Sequence, residues 1–263
     1  MPPRLDSAQL GDGPPVVLLH GLSATKRYVV HRSKALPRSG HRIVAYDARG
    51  HGESAAPEDP DAYEYSDLCA DLGRIVDEYD LDRAALAGVS MGAHTALRFA
   101  LEHPERVSAV VAITPGYGGE GAEAGKWDAM ADALDAGGID GFLESWGARD
   151  VAERFRDAAL ENARQRLSLH RDLGAVARAL RIVPRSEAFP GLEALREVRA
   201  PVLVVGSRDE ADPMHPLALA ERYAEELPDG RLLVEEEGKA PLAWQGARLS
   251  RAIADFLAER AGS

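Results

Sequence analysis

The sequence predicts an α/β fold in which helices cover both faces of a mostly parallel, doubly wound sheet. Short apolar runs typical of buried strands alternate with helical patterns up to residue 113. From about 126 to 183 only helical patterns occur, and a strand pattern returns at 202–205. These observations indicate a sheet domain that is interrupted once, by a helical insertion.

The first part of the chain supplies four predicted buried strands and three helices, one of which follows Ser90 and runs to Leu101. Residues 1–13 are expected to form an edge hairpin or an irregular start. A helix is predicted over 26–39, stopped by Pro37 and Gly40, and another over 66–79, whose start is capped by Ser66. The four predicted strands cover 15–19, 41–46, 84–87 and 107–113. After the insertion we predict a helix over 217–227, a strand over 231–234 and a helix over 247–260.

Composition narrows the class of protein. The chain has 263 residues, enough for one large domain with or without a lid. Its net charge of −12 disfavours nucleic acid and anionic membranes as partners, and no apolar run reaches the roughly 20 residues of a membrane helix. The single Cys69 and the absence of an apolar signal segment at 1–15 favour the cytoplasm. We expect a small-molecule substrate, and a homodimer is one option for the oligomeric state.

A Gly-x-Ser-x-Gly motif lies between a predicted strand and a predicted helix, at Gly88, Ser90 and Gly92. Glycine tolerates the strained dihedrals of so sharp a turn and leaves room for neighbouring backbone. The serine is then held at the carboxyl end of a strand and the amino end of a helix, where backbone N–H groups stabilise negative charge. The motif therefore predicts a nucleophilic serine.

Several motifs occur together in an order that resembles the α/β-hydrolase family. They are His20-Gly21 after the first apolar strand, Asp47-x-Arg49-Gly-His-Gly-x-Ser54, the turn at Ser90, the helical insertion and an acidic loop after 202–205. The resemblance covers the whole chain and implies a sheet of about eight strands with a helical cap inserted after strand 6. The implied core domain is 1–116 and 190–263, and the implied cap is 117–189. Because this family hosts many chemistries, the fold does not choose a substrate.

The resemblance also implies roles for individual residues. Ser90 would be the nucleophile, and the backbone N–H groups of Leu22 and Met91 would form the oxyanion hole. His20 would border the substrate pocket, and we favour a structural, hydrogen-bonded role for it over a catalytic one. No metal and no cofactor are expected.

Two aspartates are candidates for the acid of a catalytic triad, because both follow the strand at 202–205. Asp209 fits the usual distance from the end of that strand. Asp212 fits the distance to the following helix and lies in an Asp-Pro-x-x-Pro segment. Both remain candidates, with a slight preference for Asp209.

The general base is the departure from the family pattern, which places a histidine after the last strand. Lys239 occupies that position, and no histidine follows His215. One hypothesis takes His215 or His170 as the base, and another takes Lys239 as a base or anion anchor, for which burial would have to lower its pKa. A third is a non-hydrolytic protein using the same pocket, and a fourth is catalysis by water and the remaining groups. His51 and His94 are interpreted as structural.

The cap contributes candidate pocket residues and a local excess of positive charge. Trp127, Trp146 and His170 are candidate substrate-binding residues, although aromatic residues at helical spacing more often serve packing. Nine arginines lie between 149 and 185; they would suit an anionic or carboxylate-bearing substrate, but a solvated helix face is favoured. The leading interpretation is a hydrolase of ester or lactone bonds with an atypical or missing base. The alternative is a ligand-binding or non-hydrolytic relative, of cyclase, lyase or decarboxylase type.

Overall fold

A computed structural model describes residues 1–116, 124–208 and 210–261. Its sheet has seven strands in the order β1-β3-β2-β4-β5-β6-β7, and only the edge strand β1 is antiparallel to its neighbour. The strands are β1 (Ser7–Leu10), β2 (Pro15–Leu19), β3 (Arg42–Tyr46), β4 (Ala84–Val89), β5 (Val107–Ile113), β6 (Val202–Val205) and β7 (Gly230–Leu233).

Helices cover both faces of the sheet, which explains why the strands are continuously apolar. Along β2, Val17 and Leu19 join one buried apolar cluster while Val16 and Leu18 join the other. Helices α2, α3 and α7 contribute to the first cluster, and α1 and α8 to the second. The helices are α1 (Ala35–Arg38), α2 (Tyr65–Glu78), α3 (Met91–Glu102), α4 (Ala124–Trp146), α5 (Glu153–Leu167), α6 (Leu173–Ile182), α7 (Leu217–Glu226) and α8 (Gly246–Ala261).

The start of the chain is simpler than predicted. Residues 1–13 provide the single strand β1, so the described sheet has seven strands instead of about eight, and the helical insertion follows the fifth strand instead of the sixth. Pro2 and Pro3 lack the backbone N–H groups that the first strand of a hairpin would need. Within the described residues, the sheet therefore has one strand fewer than the resemblance implied, and the irregular start is the option that the structure adopts.

The helix predicted over 26–39 is also wrong. That segment contains a short 3-10 turn at Lys26–Tyr28 and the four-residue helix α1. His31 and Arg32 between them have φ angles of 46° and 58°, in the left-handed region that an α-helix cannot include. Pro37 and Gly40 mark the end of the segment correctly, but the backbone turns at His31, which lies against Gly246 at the start of α8.

Helices α4, α5 and α6 form a layer, the α4–α6 layer, with an apolar cluster of its own. Met130, Phe142, Leu167 and Leu180 are buried there, and α4 bends at Gly138, where φ is 59°. The helical pattern predicted for this part of the chain is thus present, and residues 117–123, where the predicted cap begins, lie outside the described residues. None of the helices in the described segments has the length and apolar character required to cross a membrane.

The Asp-x-Arg-Gly-His-Gly motif after β3 is a structural brace. The buried Arg49 donates through Nε and Nη2 to both carboxylate oxygens of Asp71, each at 2.7 Å, and pairs with Asp67 at 2.9 Å. Asp47 accepts hydrogen bonds from the backbone N–H groups of Lys26 and Glu53. The motif therefore ties the loop after β3 to α2 and to the loop after β2, which borders the active-site cleft described below.

Replacing Arg49 by methionine tests this brace. Asp71 is only 1% exposed, so its carboxylate would lose two charge-assisted hydrogen bonds without gaining access to water, and only the bond from Arg74 would remain. We expect the free energy of unfolding in urea to fall by about 3 kcal/mol, whereas Arg38→Met, at an exposed position in α1, should change it by less than about 0.5 kcal/mol. A loss below 1 kcal/mol for Arg49→Met would contradict the structural role.

Candidate active site

Ser90 occupies a strained turn between β4 and α3. Its φ and ψ angles are 48° and −109°, a conformation that side-chain-bearing residues rarely adopt. A Cβ atom at Gly88 would lie 2.2 Å from the carbonyl oxygen of Gly92, and one at Gly92 would lie 2.3 Å from that of Leu19. Both glycines of the motif are therefore required by close backbone contacts.

A chain of hydrogen bonds links Ser90 to a histidine and an aspartate. His215 Nε2 lies 2.9 Å from Ser90 Oγ, and His215 Nδ1 lies 2.8 Å and 2.9 Å from the two carboxylate oxygens of Asp212. Because the carboxylate can only accept, Nδ1 carries the proton and Nε2 is free to accept one from the serine hydroxyl. This is the geometry of a nucleophile, a base and an orienting acid.

The histidine comes from the same loop as the aspartate. Asp212 and His215 both follow β6 and precede α7, and the His215 N–H donates to the Asp212 carbonyl oxygen at 3.1 Å. The ring lies directly against Gly116: a Cβ atom there would be 2.4 Å from His215 Cδ2. The absence of a side chain at the end of β5 thus leaves the space that the imidazole occupies.

Of the residues considered for the acid and the base, the structure brings Asp212 and His215 to Ser90. Asp209, the slightly preferred acid, lies outside the described residues. Lys239 is exposed and does not line the cleft, so the hypothesis that it is the base has no support in this arrangement. The family pattern would place the base in the loop after the last strand, whereas His215, one of the candidates that the sequence left open, is the residue that lies 2.9 Å from Ser90.

The loop after β7 has a different anchor. Glu235 is buried and accepts a hydrogen bond from the backbone N–H of Arg208 at 2.7 Å, with longer contacts at 3.4 Å to Ser207 Oγ and the Leu242 N–H. This carboxylate connects the loop that would carry the family's histidine to the start of the Asp212–His215 loop. The sequence did not predict this connection, because Glu235 and Arg208 are distant in the chain.

The two predicted oxyanion donors lie beside Ser90. Leu22 lines the cleft. Its neighbour Gly21 is so close to the turn at Ser90 that an added Cβ would be 3.6 Å from Ser90 Cβ. Met91 is the first residue of α3, directly after Ser90. Within the described segments, the backbone N–H groups of Leu22 and Met91 donate to no other backbone group, so both are available to a ligand.

Five of the other histidines, His20, His31, His51, His94 and His170, make hydrogen bonds within the fold. His20 accepts from the Ala48 N–H at 2.8 Å, and His170 accepts from the Gly52 N–H at 2.9 Å. His20 and His170 do not line the cleft, so the expectation that they bind substrate is corrected: both are already engaged by backbone groups. His94 lies buried between the hydroxyl groups of Tyr65 and Tyr223.

The cleft lies between the carboxyl ends of the strands and the α4–α6 layer, and encloses about 150 Å³. Trp127 and Trp146 line it as predicted, together with Met130 and Phe142. Sequence reasoning missed Asn162 and Arg166, because nothing in the sequence separates Arg166 from the other arginines nearby. No cluster of three or more potential metal-ligating side chains occurs in the described ranges.

Comparison with known proteins assigns the family. A model of the α/β hydrolase fold matches residues 14–191, and the chain belongs to this family. It is 30% identical to the protein named carbamate hydrolase RutD of Variovorax paradoxus over 94% of this chain and 92% of the relative. It is 29% identical to a Bacillus subtilis protein named 2-succinyl-6-hydroxy-2,4-cyclohexadiene-1-carboxylate synthase, over 92% and 89% of the two chains.

A solved structure agrees with this assignment of the fold. The esterase of Thermogutta terrifontis superposes with a TM-score of 0.81 at 24% identity, covering 97% of this chain and 93% of that one. The protein is therefore an enzyme of the α/β-hydrolase fold.

Substitution of Gly116 by alanine tests how closely the His215 ring is confined. The new methyl group would displace the imidazole, because Cδ2 lies 2.4 Å from the position of the added Cβ. If His215 activates Ser90, we expect kcat for 4-nitrophenyl acetate to fall by about 100-fold, while Gly125→Ala, where nothing lies within 4 Å of the added Cβ, should have no effect. Unchanged kcat in Gly116→Ala would exclude this placement of the ring.

The buried histidines predict a pH-dependent stability. Burial lowers the pKa of His20, His51 and His170 to about 4 and that of His94 to about 3. The unfolded chain therefore binds more protons below about pH 6.5, so the free energy of unfolding should be constant above that pH and fall below it. The slope should approach 1.4 kcal/mol per pH unit for each histidine.

Urea unfolding between pH 7.5 and 5.0 measures this slope. His170→Gln keeps a hydrogen-bond donor and acceptor but removes one titrating group, so its slope should be shallower than that of the wild type. His103→Gln, at an exposed site, should reproduce the wild-type slope. Equal wild-type stability at pH 7.5 and 5.0 would show that these histidines are not held neutral by the fold.

Proposed function

We propose that the protein hydrolyses ester or lactone bonds of small molecules, with Ser90 as nucleophile, His215 as general base and Asp212 as the acid that orients it. The observation that carries the proposal is the hydrogen-bond chain from Ser90 Oγ through His215 to Asp212, at 2.9 Å and 2.8 Å, inside a cleft. The base is thus a histidine at an unusual place in the chain, three residues after its acid.

In the proposed mechanism, Ser90 Oγ attacks the carbonyl carbon while its proton moves to His215 Nε2. The N–H groups of Leu22 and Met91 stabilise the oxyanion of the tetrahedral intermediate. The carbonyl re-forms as the bond to the leaving alcohol breaks, and His215 returns the proton to that alcohol. Water, deprotonated by His215, then attacks the acyl carbon. As the bond between that carbon and Ser90 Oγ breaks, His215 returns the proton to Oγ, and the carboxylic acid is released.

The size of the cleft supports a small acyl group. The volume of the cleft, about 150 Å³, is similar to that of a protein cavity that admits benzene. The apolar side chains around Ser90, among them Met130 and Phe142, favour a hydrocarbon group there. Short acyl esters should accordingly be better substrates than long-chain ones.

Labelling with a fluorophosphonate probe and turnover of 4-nitrophenyl acetate test the proposal. We expect the wild type to be labelled and active, and Ser90→Ala to be neither. His215→Gln should lower kcat by about 1,000-fold or more, because a triad without its base retains only the oxyanion hole and binding. Lys239→Ala should keep wild-type kcat, since that side chain is exposed and does not line the cleft.

A different result would support the second candidate, a non-hydrolytic reaction in the same pocket. This candidate is favoured by the similarity to a protein named as a synthase. The absence of both labelling and ester turnover above background would exclude the serine hydrolase. Wild-type activity in His215→Gln together with loss in Lys239→Ala would instead restore Lys239 as the base.

A further inference from the structure

One side of the active-site cleft carries a pair of polar side chains that the proposed mechanism does not use. Asn162 and Arg166 are four residues apart on α5, so they lie on the same face of this helix, and both line the cleft that contains Ser90 and His215. Among the described residues that line this cleft, Arg166 is the sole lysine or arginine.

Arg166 has no partner for its charge within the described part of the chain. Its Nε is inaccessible to solvent and makes no hydrogen bond, and its guanidinium forms no ion pair. Two other arginines of α5 differ: Arg164 pairs with Asp140 at 2.7 Å, and Arg154 pairs with Glu210. Arg156 also has a buried, unbonded Nε, but its Nη2 donates to the Val151 carbonyl oxygen at 3.4 Å and it does not line the cleft. A sheltered guanidinium with unsatisfied donors is costly to the fold unless an acceptor is supplied, so this position is suited to a ligand.

The surroundings of Arg166 offer no free carboxylate. Burial lowers the pKa of Arg166, while the charges of Asp212 and Tyr28 act in the opposite direction. The Asp212 carboxylate already accepts from His215 Nδ1, and His31 Nε2 bonds the Ala243 carbonyl oxygen. The guanidinium, which remains protonated in proteins, therefore presents to the cleft a positive charge that has no ion-pair partner of its own within the described residues.

We propose that Arg166 binds a carboxylate of the substrate, with Asn162 as an additional donor, so that the enzyme acts on esters or lactones bearing a free carboxylate. A guanidinium donates two parallel hydrogen bonds to such a group. The apolar lining from Trp127 and Met130 would accommodate the hydrocarbon between the carboxylate and the scissile ester. A single cation neutralises a monoanionic carboxylate but not a phosphate dianion. This inference rests on the proposed function.

Matched pairs of substrates test the inference. Each pair consists of a mono-4-nitrophenyl ester of glutaric, adipic or pimelic acid and the corresponding methyl 4-nitrophenyl diester, which has the same acyl chain without the charge. After correction for spontaneous hydrolysis, we expect kcat/KM of the wild type to be at least about tenfold higher for one of the acids than for its methyl ester.

Substitution of Arg166 should remove this preference. In Arg166→Gln, kcat/KM for the preferred acid should fall by about 10- to 100-fold and that for the methyl ester by less than about threefold. Arg166→Lys keeps the positive charge but cannot donate two parallel hydrogen bonds to a carboxylate. Its kcat/KM for the preferred acid should therefore lie between those of the wild type and Arg166→Gln. Arg164→Gln, an exposed substitution on the same helix, should match the wild type.

Two outcomes would overturn the inference. The first is a wild type without preference between acid and methyl ester. The second is an equal loss for both substrates in Arg166→Gln with a changed pH profile, which would make Arg166 a positioning residue for Asp212 and His215. If neither ester is hydrolysed and Ser90 is not labelled, the proposed function fails, and calorimetric titration of wild type and Arg166→Gln with adipate decides the binding site separately: equal affinities would overturn it.

Discussion

The close backbone contact between the turn at Ser90 and its neighbours is the constraint on which the site depends. Gly88 lies against Gly92, and Gly92 lies against the end of β2. Both contacts are so close that a side chain at either glycine would overlap with backbone atoms. The resulting left-handed conformation of Ser90 is held by the packing of β4 and α3 on both sides. Because the strands are parallel, the same edge of the sheet also carries the loops that supply Leu22 and His215.

Asp212 and His215 lie in one short loop, and this arrangement has a physical consequence. Asp212 and His215 are joined by a backbone hydrogen bond as well as by the bond between their side chains. The orientation of the imidazole therefore depends on one segment, and on the space at Gly116, instead of on two loops from different strands. The loop after β7 does not orient the imidazole. Its buried Glu235 instead accepts a hydrogen bond from the backbone N–H of Arg208, at the start of the loop that carries Asp212 and His215.

Charge is distributed unevenly between the surface and the cleft. The chain as a whole has a net charge of −12, which repels anions at a distance. Within the cleft, the only lysine or arginine among the described lining residues is Arg166, where low solvent access strengthens short-range electrostatic interactions. Under the proposal, the enzyme would select among substrates through the hydrogen bonds that the Arg166 guanidinium makes to a bound carboxylate. Long-range electrostatic attraction would not contribute.

The sequence by itself determined the class of fold, the tight turn at Ser90 and the motif glycines, because these follow from local rules: continuous apolar runs typical of buried strands, and glycine where backbone atoms meet. It also contained Asp212 and His215 as candidates, but their spacing could not show that the loop returns both to Ser90. Only the tertiary structure showed that His215 lies against Ser90 and that Lys239 is exposed. It also showed that His20 and His170 are bonded to backbone N–H groups, and that Arg166 lines the cleft. Each of these depends on which residues distant in the chain become adjacent, and a lysine, a histidine or an arginine has the same local pattern whether its side chain faces solvent, backbone or a cleft.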